Sequence, residues 1–214
     1  VLVEVPPDTP CFLQISWTRS EAADSTWIEF SIDEDEWLST PAQEASVGSH
    51  SQLVMGAPCE TEIRYRFVTE EDGKTRTDPE QTAWTGTLSW RMPESTLLTW
   101  EPELATSERW LLGSLDADQS SWYSGPFIVF IVDRKGRVVW YYEVPDDRLA
   151  LQAQVAWDGT HIVLEGSTNY VYDSDIEPTV TALTLDHSYF EARTLPDLGF
   201  TLDEIEDGTI FYEK

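Results

Sequence analysis

The amino-acid sequence predicts an all-β protein, a β-sandwich followed by a partial β-propeller of about two blades. Many short segments of the 214-residue chain alternate apolar with polar residues, which is the pattern of half-buried strands. Stretches rich in turn residues, such as EEDGKTRTDPE, separate these segments. In the C-terminal half, two hairpin-like patterns recur after about 50 residues, a spacing that four-stranded propeller blades produce.

Residues 1–93 are expected to form the sandwich. The segment CFLQISWTR places Cys11 and then every second residue on one face, and TWIEFSI repeats the alternation. In EIRYRFV, Ile63, Tyr65 and Phe67 point to one face while the two arginines point to the other. Several short strands at this spacing indicate a domain of the immunoglobulin or fibronectin type III kind.

Residues 94–126 are expected to be a linker with one or two strands, because prolines and polar clusters such as DADQSS interrupt the apolar runs. The segment ERWLLGSL is the better strand candidate. Residues 127–214 are expected to form the propeller-like blades.

The repeat lies in this last part of the chain. IVFIVDRKGRVVW is echoed by TALTLDHSYFEAR, with Asp133 matching Asp186, and VAWDGTHIVLE is echoed by DEIEDGTIFYE. The Asp-Gly pairs predict type I′ turns, in which both central residues have positive φ. Because a lone hairpin is marginally stable, we expect residues 128–144 to share one blade-like sheet with the hairpin at 155–165.

Two blades do not close a propeller, which typically has about 4 to 8. The remaining blades would come from the rest of a longer protein, which we favour, or from another chain. The sequence starts at Val1 without an initiator methionine or a leader, which suggests a processed or excised product. A two-sheet sandwich made from residues 97–214 is the structural alternative.

The chain is strongly acidic, with 40 Asp and Glu against 13 Lys and Arg and a net charge of −27. Such a chain repels phosphate backbones and anionic membranes, which argues against nucleic-acid binding. A solvated acidic surface is the simplest explanation; adaptation to high salt and a specific cation site are alternatives. We expect no membrane span, because no apolar stretch approaches the roughly 20 residues that one requires.

The two cysteines, Cys11 and Cys59, leave two alternatives open. A disulfide would close a loop of about 50 residues, worth roughly 4 kcal/mol on the chain-entropy account, and would indicate a secreted, periplasmic or cell-surface protein. Two separate buried thiols would say nothing about location. We favour the disulfide because both cysteines flank inward-facing strands of one predicted sandwich.

The three histidines, His50, His161 and His187, lie in strand or turn contexts that favour structural or solvent-exposed roles. No Ser/His/Asp set, metal-spaced histidine pair or phosphate-binding loop accompanies them in the sequence. We therefore predict no catalytic residue in this chain.

Two acidic clusters offer the oxygen ligands that calcium prefers. They are DEDE, Asp33 to Glu36, and DSDIE, with Asp173, Asp175 and Glu177. Neither follows the twelve-residue calcium loop with its central glycine, so solvated turns are favoured. We therefore expect no cofactor, with calcium as the alternative.

Two of the ten tryptophans, Trp37 and Trp122, lie in polar loop contexts. An exposed indole can stack on a sugar or on a partner protein, although a loop tryptophan can also fold back over a sandwich. Trp37 and Trp122 are therefore candidate residues for binding a protein or carbohydrate partner.

Two stretches resemble known families. HSQLVMGAPCETEIRYRF resembles the end of a fibronectin type III domain of the sort fused to secreted enzymes, with Ile63 where that family carries a corner tyrosine. The hairpin from Val132 to Trp140 and the repeated Asp-Gly-Thr hairpins resemble the arylsulfotransferase family, in which a β-strand domain precedes a propeller. This resemblance implies transfer of a sulfuryl group between phenols through a histidine nucleophile. In the matching stretch, LGFTLDEIEDGT, Phe200 and Thr201 stand where that family has its His-Asp motif.

Two function hypotheses follow. In the first, the chain is an extracytoplasmic surface recognition or assembly module on an arylsulfotransferase-like scaffold and performs no chemistry itself. In the second, it is the N-terminal part of a histidine-dependent arylsulfotransferase acting on phenolic sulfates, with the catalytic histidine beyond residue 214. The missing histidine favours the first hypothesis.

Overall fold

The computed structural model describes residues 1–33, 36–99, 101, 103, 109–116, 126–145, 150, 152–166, 179–194 and 197. These residues form 16 β-strands and no α-helix, so the protein is all-β, as the sequence predicts. Nowhere in these ranges is there a helix with the length and apolarity that crossing a membrane would require.

The chain divides into two compact units. Unit 1 consists of Val1–Trp90, Glu94–Leu111 and Val132–Trp140, and unit 2 consists of Arg91–Pro93, Leu112–Ile131 and Tyr141–Lys214. The segment 132–140, which the sequence places in a blade, thus groups with the sandwich strands. The finer division into 1–93, 94–126 and 127–214 stays a prediction.

The first nine strands all belong to unit 1 and form two antiparallel sheets. They are β1 (Leu2–Glu4), β2 (Leu13–Arg19), β3 (Ala23–Ile32), β4 (Leu38–Ser39), β5 (Gln43–Ala45), β6 (Gly48–Val54), β7 (Glu62–Glu71), β8 (Lys74–Thr77) and β9 (Gln81–Trp84). One sheet has the order β1-β2-β6. In the other the order is β4-β3-β7-β8, with β5 also on β3 and β9 also on β7.

Side chains from both sheets form one hydrophobic core. β7 contributes Ile63, Tyr65 and Phe67, as its alternation predicts, and the described members of the cluster from other segments are Leu13, Ile15, Trp17, Ile28, Phe30, Val54 and Ala57. Ile28 lies opposite Phe67 in the β3–β7 register. A slip of one residue would turn these side chains out of the core, so their burial fixes the register.

The seven remaining strands form two further sheets. β10 (Trp110–Asp116), β11 (Phe127–Asp133) and β12 (Val138–Glu143) form a three-stranded sheet, and β13 (Ala153–Val155), β14 (Ile162–Gly166), β15 (Thr179–Leu183) and β16 (Phe190–Thr194) form a four-stranded antiparallel meander. The predicted hairpin at 128–144 is present as β11 and β12. The prediction that it shares a sheet with the hairpin at 155–165 is wrong, because β13 and β14 belong to the other sheet.

Side-chain burial on the meander explains this difference. β14 pairs with β15 so that Ile162 lies opposite Leu183 and Leu164 opposite Thr181, and all four side chains are buried. This pairing joins the Asp-Gly-Thr hairpin to the hairpin that follows it in the chain, instead of the one that precedes it. The four-stranded sheet therefore begins with the Asp-Gly-Thr hairpin.

The Asp-Gly turn also differs from the predicted type I′ turn. The Ala156 N–H donates to the His161 carbonyl at 2.8 Å, and the Gly159 N–H donates to the Ala156 carbonyl at 2.8 Å. Four residues thus lie between the paired positions, and Gly159 has positive φ (73°) whereas Asp158 does not. Hairpin loops of this length are most often built around a type I turn. Such a loop needs only one left-handed residue here, and glycine adopts that conformation readily.

The same bonding recurs in the β15–β16 turn. The His187 N–H donates to the Thr184 carbonyl at 3.0 Å, and His187 has φ 57°, the left-handed conformation that Gly159 adopts in the other turn. Asp186 therefore corresponds to Asp158. The predicted match of Asp186 with Asp133 is wrong, because Asp133 begins its turn whereas Asp186 lies inside its own.

Candidate functional site

The predicted disulfide between Cys11 and Cys59 is present in unit 1. The Cys59 N–H donates a hydrogen bond to the Val138 carbonyl at 3.0 Å, and Cys11 Sγ lies 3.7 Å from the same oxygen. The disulfide therefore lies against the first residue of β12. It helps to hold segment 132–140 on the sandwich.

Asp133 organises the turn that connects β11 to β12. Its Oδ1 accepts hydrogen bonds from the backbone N–H groups of Lys135 and Arg137, each at 2.9 Å, and its Oδ2 accepts from Arg137 Nε at 2.8 Å. Gly136 completes the turn with φ 80°. This network orders a turn that carries three cationic side chains within four residues, Arg134, Lys135 and Arg137.

The acidic loop after β3 meets this basic turn. Asp33 Oδ2 accepts a hydrogen bond from Lys135 Nζ at 3.0 Å and a second from Arg137 Nη1. Burial alone would raise the pKa of Asp33, but the hydrogen bonds and positive charges of Lys135 and Arg137 outweigh it and hold that pKa below its ordinary value. Asp33 is therefore ionised at neutral pH.

A cleft of about 410 Å³ opens beside these ion pairs; we call it the basic cleft. All of its lining residues belong to unit 1: Ile32, Glu36, Leu38, Gly56, Arg109, Trp110, Asp133, Arg134, Lys135 and Arg137. Four of the protein's 13 Lys and Arg residues are thus collected at one place in a chain of net charge −27. The sequence alone does not predict this site.

Trp110 and two aliphatic side chains, Ile32 and Leu38, form the apolar part of the lining. The indole of Trp110 packs closely on Gly56, where an added Cβ would lie only 2.8 Å from Trp110 Cζ2. Gly56 also has φ 94°, so glycine is required there both for space and for backbone conformation. Trp110 remains 44% exposed and is available to a ligand.

Arg109 and Glu36 form an ion pair at the rim of the cleft. The Arg109 guanidinium lies 6.0 Å from the centroid of the Trp110 ring. Asp33, Glu36 and Asp133 are described carboxylates that pair with cations of the cleft. Positive charge and an aromatic face are the features of a site that binds an anionic group.

The lining of the basic cleft includes no histidine, cysteine, serine or threonine among the residues that the structure describes. The side chains of the lining supply hydrogen-bond donors, hydrogen-bond acceptors and apolar surface. Within the same described ranges, no group of three or more His, Cys, Asp or Glu side chains is placed to hold a metal ion. The arrangement supports the binding of an anionic group.

Trp37, a predicted binding residue, packs on the outer face of the β7 sheet. The Arg66 guanidinium lies 3.9 Å from its ring centroid and that of Arg64 lies at 5.4 Å. Arg66 is itself paired with Glu29 at 2.6 Å. The indole is half-buried by this cation–π contact, which is the folded-back alternative that the sequence left open.

The other sequence-derived candidates lie mostly outside the described residues. This holds for Trp122 and for the calcium candidates Asp173, Asp175 and Glu177. In the other acidic cluster, Asp33 and Glu36 pair with cations of the basic cleft. These two carboxylates thus serve as internal partners of Lys135 and Arg109.

All three histidines contact aromatic rings. His50 stacks on Trp17 with ring centroids 5.6 Å apart, His161 meets Tyr189 edge-on at 4.9 Å, and His187 meets Tyr142 at 5.5 Å. These contacts agree with the structural roles that the sequence favours.

No protein-family model matches this sequence, and no curated protein matches it either.

Proposed function

We propose that this chain is an extracytoplasmic recognition or assembly module that binds an anionic partner group in the basic cleft and performs no chemistry there. The observation that carries the proposal is the collection of Arg109, Arg134, Lys135 and Arg137 around one cleft in a chain of net charge −27. The acidic remainder of the surface repels anions, so a local cationic site determines where an anion binds.

The exposure of the ion pairs supports exchange with an external anion. The Lys135 side chain is 55% exposed and that of Arg109 is 41% exposed. Exposed ion pairs of this kind contribute about 0 to 1 kcal/mol each. A ligand carboxylate or sulfate can therefore replace an internal carboxylate at a small energetic cost.

We further propose that the scaffold is arylsulfotransferase-like, with a fibronectin type III-like sandwich followed by propeller-like blades. The two-sheet core of unit 1 and the four-stranded meander of residues 153–194 are compatible with it. The Cys11–Cys59 disulfide supports an oxidising compartment outside the cytoplasm.

A second candidate is the N-terminal part of a histidine-dependent arylsulfotransferase. The observation that favours it is the Val132 to Trp140 segment, whose sequence resembles that family's hairpin and which spans the turn between β11 and β12. On this proposal the catalytic histidine lies outside the present sequence.

Isothermal titration of the 214-residue chain with citrate, sulfate and the dipeptide Glu-Glu tests the first proposal. We expect at least one of these anions to bind and the double variant Arg134→Gln/Lys135→Gln to weaken it by about tenfold or more. Lys74→Gln/Arg76→Gln on β8 removes the same charge away from the cleft and should leave the affinity within about twofold. Equal weakening by both double variants would show a net-charge effect and contradict a specific site.

A further inference from the structure

We infer that the ligand of the basic cleft is an acidic sugar, a uronate residue within a short oligosaccharide. This inference rests on the proposed function, since it names the chemical class that the same cleft takes. The sugar ring would lie on Trp110, and its carboxylate would be held by the cations of the 134–137 turn and by Arg109.

The size of the cleft favours a small ligand over a protein surface. Its volume of about 410 Å³ falls within the roughly 300–1,000 Å³ that is typical of small-molecule sites. A stable protein–protein interface needs about 800 Å² from each partner. A segment of one or two sugar residues matches the cleft better than a folded partner does.

The carboxylate group follows from what already binds these cations. Asp33 is an internal carboxylate that accepts from both Lys135 and Arg137, and Arg137 also binds Asp133 with two of its nitrogens, each at 2.8 Å. Guanidinium groups match the planar carboxylate. An external carboxylate beside the exposed Lys135 side chain would make interactions of the same kind.

The sugar ring follows from the other lining groups. Trp110 packs closely on Gly56 and presents apolar ring surface at the cleft, on which the C–H face of a pyranose can stack. Glu36 is an acceptor in the same lining and can receive hydrogen bonds from ring hydroxyl groups. An aromatic acid would fill the apolar part but would offer Glu36 no donor.

Titration with a matched set of small ligands tests this inference on the full chain. The set is digalacturonate, the neutral disaccharide of galactose with the same linkage, the dipeptide Glu-Glu and phenylacetate. We expect digalacturonate to bind at least about tenfold more tightly than the other three. Trp110→Leu should weaken it about 3- to 10-fold, whereas Trp110→Phe, which keeps an aromatic ring, should weaken it less.

Trp90→Leu is the control, because Trp90 is 88% exposed and does not line the cleft. It should leave digalacturonate affinity unchanged. If Glu-Glu or phenylacetate binds as tightly as digalacturonate, the sugar inference is wrong while anion recognition stands. The same holds if the Trp110→Leu variant folds like the wild type and binds digalacturonate equally well. If neither digalacturonate nor any other anion binds, both proposals are wrong.

Discussion

Asp33 accepts a hydrogen bond from Lys135 Nζ at 3.0 Å across a sequence separation of 102 residues. The contact joins the end of β3 to the turn between β11 and β12 within unit 1. Asp33 reaches it from a left-handed backbone conformation, φ 55°, which Asp tolerates better than most residues. This pairing holds the acidic loop after β3 against the basic turn that lines the cleft.

Asp33→Asn should reduce stability at neutral pH but not in acid. The pKa of Asp33 is lowered in the folded state, because the hydrogen bonds and charges of Lys135 and Arg137 outweigh the effect of burial. Its stabilisation is therefore present above the unfolded-state pKa of about 4 and is lost as pH falls through the lower folded-state pKa. Because the pair is partly exposed, we expect a difference below about 1 kcal/mol at pH 7.

Urea denaturation of wild type and Asp33→Asn at pH 7 and in acid measures this effect. Asn keeps the tolerance of positive φ, so the variant changes charge with little backbone strain. Asp8→Asn, at an exposed position outside the cleft, is the matched control. A difference between wild type and Asp33→Asn that grows as pH falls would contradict the ion-pair assignment.

Removal of the disulfide should destabilise unit 1 by about 4 kcal/mol, because the bond closes a long loop in the unfolded chain. Denaturation of Cys11→Ala/Cys59→Ala against the oxidised wild type measures the loss. Mass spectrometry with and without reductant shows whether the bond forms in the protein from its native source. Alkylation of two thiols in unreduced protein would show that the bond is absent. The disulfide would then give no support for an extracytoplasmic location.

Gly56→Ala should disturb the cleft more than an ordinary glycine substitution. The new Cβ would lie 2.8 Å from Trp110 Cζ2, and the combined strain should cost about 1 to 3 kcal/mol and displace the indole. Gly73→Ala is the control, because Gly73 also has positive φ (69°) but has no atom within 4 Å of an added Cβ. The difference between the unfolding temperatures of the two variants measures the steric contribution. Equal unfolding temperatures would show that Trp110 does not pack on Gly56.

The isolated chain should transfer no sulfuryl group from phenyl sulfate to a phenol. The reason is the absence of histidine from the stretch before residues 207–209, where Phe200 and Thr201 occur. A spectrophotometric assay for released phenol from the donor checks this expectation. Sustained turnover by the pure 214-residue protein would favour the arylsulfotransferase candidate over the recognition module.

The sequence predicts local features of this fold well and long-range features poorly. Alternation in EIRYRFV places Ile63, Tyr65 and Phe67 in the core, because strand periodicity is a property of neighbouring residues. Which sheet contains the 128–144 hairpin depends on pairing with distant strands. A repeat in the sequence does not determine whether a hairpin pairs with the one before it or the one after it. For that reason the sequence pattern predicts the wrong sheet for β13 and β14.

The basic cleft is harder to predict from the sequence, because its lining comes from widely separated segments near residues 32–38, 56, 109–110 and 133–137. One signal was available. The stretch Arg-Lys-Gly-Arg at 134–137 holds three of only 13 cations in the chain, and such clustering in an acidic protein points to a specific partner for the charge.

A map of backbone amide shifts by NMR during titration with digalacturonate and citrate tests directly whether the basic cleft binds anions. We expect the largest shifts in the 134–137 turn, at Asp33 and at Trp110. These shifts should be lost in Arg134→Gln/Lys135→Gln but kept in Lys74→Gln/Arg76→Gln. Shifts centred elsewhere, for example at the exposed Trp157 of the β13–β14 turn, or no shifts with either anion, would contradict anion recognition by the basic cleft.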